Sequence, residues 1–322
     1  MAGESRASAR TPTPHAVWGA CVPLVHAGLI AGTAAAFLLL AHPAKWILIV
    51  PLIGLTAWMN HVALTQLHEA AHGALAKNRV LNELQGVVIG TLALTPLSIY
   101  RYVHARHHAH LGRERDPEFW PYNLPCSPRP VRVLYAFLEL AIGWVFTPTL
   151  YSVRSARSWS SVPARHRPRI LIEWVALLAA WSAVLWVITV NGWWVVATVS
   201  FFAPAWLTGV LQTLRKFIEH LGMHGETIAS MTRTVVYRKR IGRLASASQL
   251  HVDHHGTHHR HARIPYYDLP SHTPGVYGEE RLFRSHLEAC VDMLPHLLDP
   301  KVGPQWVRAS APSERAPVCD AG

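Results

Sequence analysis

Charge is scarce in this chain of 322 residues: Asp, Glu, Lys and Arg together make up 15%, while half of the residues are apolar and 13 are Trp. So few charges beside so many indole rings argue against an ordinary soluble domain and for a membrane protein. Cysteine is scarcer still, and Cys21, Cys126, Cys290 and Cys319 show no paired spacing. That argues against both a disulfide framework and a thiolate metal site. Also missing are a four-cysteine iron–sulfur pattern, a Gly-rich dinucleotide fingerprint and an appended haem domain. Any redox function must therefore draw its electrons from another protein.

Long uncharged runs are abundant instead. Residues 17–41 are apolar apart from His26, 46–67 carry no charge beyond one available to His61, 170–190 contain only Glu173, and 193–214 contain none. Each reaches the roughly 20 residues needed to cross a hydrocarbon core. The connections 42–45 and Asn191-Gly192 are very short, so the pattern predicts two helical hairpins. The expected fold is an all-α integral membrane protein with four transmembrane helices and a cytoplasmic histidine-rich cap. Residues 17–41 run too long, and lack the small-residue exit, for a cleavable signal peptide. Residues 81–100, interrupted by Gly86, Gly90 and Pro96, read as a segment that dips into the membrane or packs on other helices. Residues 131–151, with Arg132 and Glu139, read as an interfacial helix. The expected organisation is a disordered segment 1–16, a membrane domain 17–298 whose cap comprises 68–168 and 215–298, and a flexible tail 299–322.

Of 30 Lys and Arg, only Lys45 falls in a predicted outer connection. The positive-inside rule therefore places both termini and the cap in the cytoplasm. The net charge of +11 is scattered through segments beside apolar spans, which suits anionic lipid headgroups rather than nucleic acid.

Half of the 22 histidines fall into three short clusters. These are His68-Glu-Ala-Ala-His72, then His104-Ala-Arg-His107-His108 with His110 close by, then the run from His251 to His259. Helical positions i, i+3 and i+4 share one face, so each cluster aims two or more rings at one point. Neutral imidazole is a ligand for iron, zinc, copper and nickel. Alone, the first cluster matches the zinc metalloprotease arrangement with Glu69 as base. The other two supply more imidazoles than one tetrahedral ion can use. Two ions of higher coordination number account for them better, and nitrogen-rich sites open to an outside ligand suit redox iron.

Taken in order, HEAAH, HARHH and HGTHH, with His220 ending RKFIEH between the last two, resemble the membrane fatty acid desaturase family. The stretches LGRERDPE at 111–118 and IPYYDLP at 264–270 resemble it too, and the likeness runs from about residue 60 to 270. The resemblance implies four spans, a cytoplasmic centre of two iron ions, O2 as co-substrate, and an external electron donor of ferredoxin or cytochrome b5 type with its reductase. The activity implied is insertion of a double bond into a fatty acyl chain. Hydroxylases and carotenoid ketolases share the scaffold, so the ligand set alone leaves the product open.

Carried over by position, His68 and His72 match the first box, His104, His107 and His108 the second, and His220 the solitary histidine. For the third box both His251-His254-His255 and His255-His258-His259 fit. The spacing to Pro265 favours His255, His258 and His259, leaving His251 and His254 as alternative or outer groups. Glu69, Asp116, Glu219 and Asp253 are candidates to accept from the ring N–H that faces away from metal. His110, His224, His261 and His272 flank boxes without helical partners, and His26, His61 and His166 read as ordinary polar residues. The rival readings are an intramembrane zinc protease built on HEAAH, and a metal-binding or transport protein that catalyses nothing.

Overall fold

The computed structural model describes residues 14–40, 43–157, 159–276 and 282–309. Most of the expected N-terminal segment, and the tail beyond 309, lie outside the described residues. Helices α1 (Pro14–Leu39) and α2 (Lys45–His72) pack together, and α2 carries the first box out of the apolar layer. It stops there because Gly73 adopts φ 71° and its N–H returns to Ala70 O, a left-handed cap that glycine takes without steric cost. Asn78 opens α3 (Arg79–Leu92) by accepting from the Val80 and Leu81 N–H groups, as a side-chain cap should. A break of four residues ending in Pro96 follows, and α4 (Leu97–His110) leaves it at 97° to α3.

Next come α5 (Arg129–Arg157), non-helical at Ile142, and α6 (Arg167–Val190). A final long run joins α7 (Trp194–Ala197), a π turn Thr198–Phe202 and α8 (Ala203–His220). The remainder is a cap of short elements. Its helices are α9 (Ile228–Met231), α10 (Arg240–Ser248), α11 (His255–Arg260), α12 (Leu269–Val276), α13 (His286–Met293) and α14 (Gln305–Ala309). Strands β1 (Thr234–Val235) and β2 (Leu282–Phe283) pair in parallel, with Thr234 opposite Leu282.

Among the described residues five helices, not four, are long and apolar enough to cross a membrane: Gly19–Leu39, Lys45–His72, Arg129–Ala156, Ala164–Val190 and Trp194–His220. The count rises to six if the bent α3–α4 pair is one broken span. The expected arrangement of four spans in two hairpins is therefore wrong, and α5 is the main reason. Its charges, which suggested an interfacial helix, are turned inward. Arg132 is 4% exposed and donates to Pro300 O and Ser127 O while pairing with Asp299. Glu139 is 1% exposed and takes the Lys216 ammonium and the Tyr122 hydroxyl. Leu134, Phe137, Ile142 and Val145 face outward instead. Elsewhere Ile47, Val50, Ile172 and Trp186 are similarly exposed, an apolar surface that only lipid covers at low cost. The chain is a multi-pass integral membrane protein.

Close contact between small residues draws α8 against α5. A Cβ on Gly209 would lie 2.5 Å from the Trp144 backbone nitrogen, and one on Gly143 would lie 2.8 Å from Thr213 Oγ1. Such small-residue contacts let membrane helices approach without a cushion of side chains, and α5 thereby buttresses the end of α8 that bears His220. Apolar packing around Val62, Leu67, Val103 and Tyr266 supports the first two boxes from one side. Phe119, Tyr122, Phe217 and Leu221 pack beneath His220 on the other. Among the cysteines, Cys21 and Cys290 are free but Cys126 is disulfide-bonded. Unpaired spacing did not exclude a cross-link, since it does not report which segments meet in space.

Candidate metal centre

Nine imidazoles from α2, α4, α8 and α11 meet between these two packed regions. His68, His72, His104, His108 and His258 place ligand nitrogens within 4.8 Å of one another. His107, His220 and His259 form a second such group, and His255 joins His220 in a third that includes Glu219. The local reason is helical spacing: α2 offers His68 and His72 on one face, α4 offers His104 and His108 on one face with His107 turned to the next, and α11 does likewise with His255, His258 and His259. All of the boxes' rings are buried or nearly so.

Seven of the nine rings turn Nε2 toward one another. Nε2 atoms point inward: His107 to His259 at 3.3 Å, His259 to His255 at 3.0 Å, and His255 to His220 at 2.7 Å. In the other group His258 Nε2 lies 3.1 Å from His108 Nε2, which lies 3.1 Å from His104 Nε2. Hydrogen bonding cannot satisfy these chains. An imidazole nitrogen carries one proton or one lone pair, so His259 Nε2, with two close nitrogens, is left with an unmet contact. Inward lone pairs around a cation resolve the conflict, and the donor set fits two ions, one held by five imidazoles and one by four.

Nδ1 atoms point outward to acceptors. His107 Nδ1 is 2.8 Å from Asp116 Oδ2, His104 Nδ1 is 3.1 Å from Glu118 Oε2, and His68 Nδ1 is 3.2 Å from Glu69 Oε1. His220 Nδ1 donates to Met231 O at 3.0 Å; His255 Nδ1 lies 3.5 Å from Glu219 Oε1 but makes no hydrogen bond to it. Such outer acceptors fix the tautomer that leaves Nε2 as the donor atom to a metal. Three of the four carboxylates expected in this role therefore sit beside a box imidazole. Asp253 does not: its Oδ1 accepts from Ser246 Oγ at 2.7 Å, and burial pushes its pKa up to about 7.

Glu118 is the carboxylate that sequence reasoning missed. It accepts from the Tyr151 hydroxyl at 3.0 Å as well as from His104. Burial alone would raise its pKa, but His107, His104 and that hydroxyl hold it well below the usual carboxylate range. The available signal was its place two residues after Asp116 in the same tight turn, where Glu118 N–H donates to Asp116 Oδ1. Asp116 also accepts from the Gly112 N–H at 2.7 Å. Asp116→Asn should keep the turn but lose the charged acceptor for His107. Iron affinity, measured by competition with a chelator, is expected to fall by roughly 10- to 100-fold; an unchanged affinity would remove Asp116 from the site.

His251 and His254 stand apart from the nine. They group with Asp253 only, and their Nδ1 atoms lie 2.9 Å from Ser246 Oγ and 2.7 Å from Thr273 Oγ1. None of His26, His61, His110, His166, His224, His261 or His272 joins a group among the described residues.

A cavity of about 350 Å³ opens beside the inward face of this cluster. His68, His104, His107, Glu118, His220 and His255 border one end, and Ile30, Leu64, Leu92, Trp144 and Phe201 line the rest. The arrangement sets a largely apolar space beside two groups of imidazoles that could each hold a cation.

Comparison with known proteins agrees with this geometry. A profile of the family described as fatty acid desaturase matches residues 44–284. An omega-6 fatty acid desaturase of Glycine max is 31% identical over 24% of this chain and 22% of its own length. An oleoyl-12-hydroxylase of Ricinus communis is 30% identical, again over 24% of this chain and 22% of its own. The sn-1 oleoyl-lipid 12-desaturase of Synechocystis is 24% identical over 73% of this chain and 72% of that protein. The chain thus aligns with about a fifth of the length of the first two relatives and with most of the third.

Proposed function

The chain belongs to the fatty acid desaturase family, the histidine-box diiron class of membrane enzymes, and on that premise we propose that it uses O2 to insert a double bond into a fatty acyl chain. The observation that carries the reading is the convergence of nine imidazoles, seven of them with Nε2 turned toward one another, beside an apolar cavity. His68, His72, His104, His108 and His258 would hold one iron and His107, His220, His255 and His259 the other, and the bound pair would supply O2 reduction and hydrogen removal from an unactivated carbon. In balance, a CH2–CH2 unit, O2, two electrons and two protons give CH=CH and two waters.

The residues of the chain set the conditions for that chemistry. Asp116, Glu118, Glu69 and Met231 O hold the rings in the tautomer a metal needs. The apolar cavity walls keep bulk water from the reacting carbon. Exposed Arg238, Lys239, Arg240 and Arg243 at the start of α10 suit an acidic carrier of ferredoxin or cytochrome b5 type, served by its own reductase. The balance of basic residues supports a cytoplasmic centre. A hydroxyl product is the alternative outcome, favoured by the likeness to the Ricinus hydroxylase.

The protease reading fits the site poorly. Glu69 lies on the Nδ1 side of His68, away from the point where Nε2 atoms meet, so it is badly placed as a base beside the metal. Metal analysis of the purified protein together with lipid mass spectrometry of an expressing host decides between them. The expected result is about two irons per chain and acyl species lighter by two hydrogens. One zinc per chain with an unaltered lipid profile would overturn the proposal.

A further inference from the structure

Lys216 and Arg215 both border the cavity, but only Lys216 has a carboxylate within hydrogen-bond reach. Lys216 is paired with Glu139. Arg215 has no comparable partner: its side chain is 10% exposed, and its nearest carboxylate, Glu219 Oε1, lies 3.7 Å from Nε, beyond hydrogen-bond reach. Nε and Nη1 are both buried and both lack a hydrogen-bond acceptor. A buried donor without an acceptor is costly, more so when it is charged, and a guanidinium cannot escape by losing its proton. Glu219 does not answer the need, because its Oε1 also lies 3.5 Å from His255 Nδ1 and itself accepts no hydrogen bond. The unmet donors border the space assigned above to substrate.

We infer that Arg215 is a specificity-determining residue that holds the carboxyl-derived oxygen of the acyl substrate, placing the attacked carbon in the carboxyl-proximal part of the chain. The inference rests on the acyl-oxidase reading. Arg215 lies five residues before His220, roughly 7.5 Å of helix rise, and a zigzag of C–C bonds of about 1.5 Å spans that distance in about six carbons. Phe201, at the other end of the same helical run, is roughly 28 Å from His220 by the same measure. The apolar tail therefore extends toward Phe201 and Trp144, while the polar end stays beside the metal-binding groups. A guanidinium binds either a free carboxylate or an ester carbonyl, so both sources share this chemistry.

The test is equilibrium binding of palmitic acid, methyl palmitate and hexadecane to the iron-loaded protein in lipid nanodiscs, followed by product analysis after incubation with O2 and, in separate runs, a reduced ferredoxin and a reduced cytochrome b5, each with its reductase. Wild type is expected to bind the acid and ester about tenfold or more tightly than the alkane, the effect of one charge-assisted hydrogen bond. Arg215→Met should lose that preference while its alkane affinity stays the same. Arg215→Lys, checked for the same elution profile in detergent, should retain preference for the acid. Oxidation should fall within about the first eight carbons from the carboxyl. A preference that survives in Arg215→Met, or a wild-type product oxidised further along the chain, overturns the inference. Selective binding with no oxidation overturns the acyl-oxidase reading and leaves the Arg215 contact standing. Failure to bind any of the three overturns both.

Discussion

His258→Ala should abolish acyl oxidation while the chain stays folded in the membrane. His258 is 2% exposed, and its ring centroid lies 4.3 Å from His68, 4.8 Å from His72 and 4.9 Å from His108. It is the one third-box imidazole whose nitrogen belongs to the five-imidazole group. Removing it leaves four nitrogens from two helices and takes away the α11 ring that packs on His68 and His72 of α2. The loss should therefore exceed the roughly 100-fold that an outer carboxylate costs, and iron content should fall by about one ion per chain. Stability should change far less, because four like rings already crowd the space and removing one relieves an unmet contact. His254→Ala is the control: it is as buried, at 6% exposed, yet lies outside the nine. Equal activity in the two variants would strip His258 of its ligand role.

How much of this was legible beforehand depended on the range of the interactions. The first two boxes were readable because their spacing is a local property of a helix, whereas His220 and the choice within the third box came from the family resemblance. The span count was not readable. Arg132 and Glu139 look like surface charges along the sequence, and only the fold shows their partners Asp299 and Lys216, far away in the chain and buried with them. Glu118 escaped for a similar reason: its place beside Asp116 marks the turn, but the convergence of Tyr151 and His104 on it is a fact of the fold. The unsatisfied Arg215 is likewise a fact of packing. Its sequence neighbour Lys216 carries the same charge but has found a carboxylate.

The third box is the sharpest case, because two overlapping readings shared one sequence. A continuous helix from 251 to 259 would set His251, His254, His255 and His258 near one face, and the pattern alone gave no reason for the helix to be shorter. It is shorter: α11 begins only at His255, and the chain before it turns through Leu250 and His251 at φ 57° and 52°. Left-handed backbone at two successive non-glycine residues interrupts any helical register, so His251 and His254 are directed to Ser246 and Thr273 rather than to the other boxes. Opposite consequences are expected for two single substitutions four residues apart. His255→Ala removes the ring that bridges His220 and His259 through Nε2 contacts of 2.7 and 3.0 Å, and it should cost activity more than 100-fold, beyond the loss of an outer partner. His251→Gln keeps a polar group for Ser246 and should retain activity within a few-fold. Initial rates and iron per chain, measured for both variants at equal protein in the membrane, separate the readings. If His251→Gln lost the iron and His255→Ala kept it, the upstream frame would be the ligating one and α11 would need a different register.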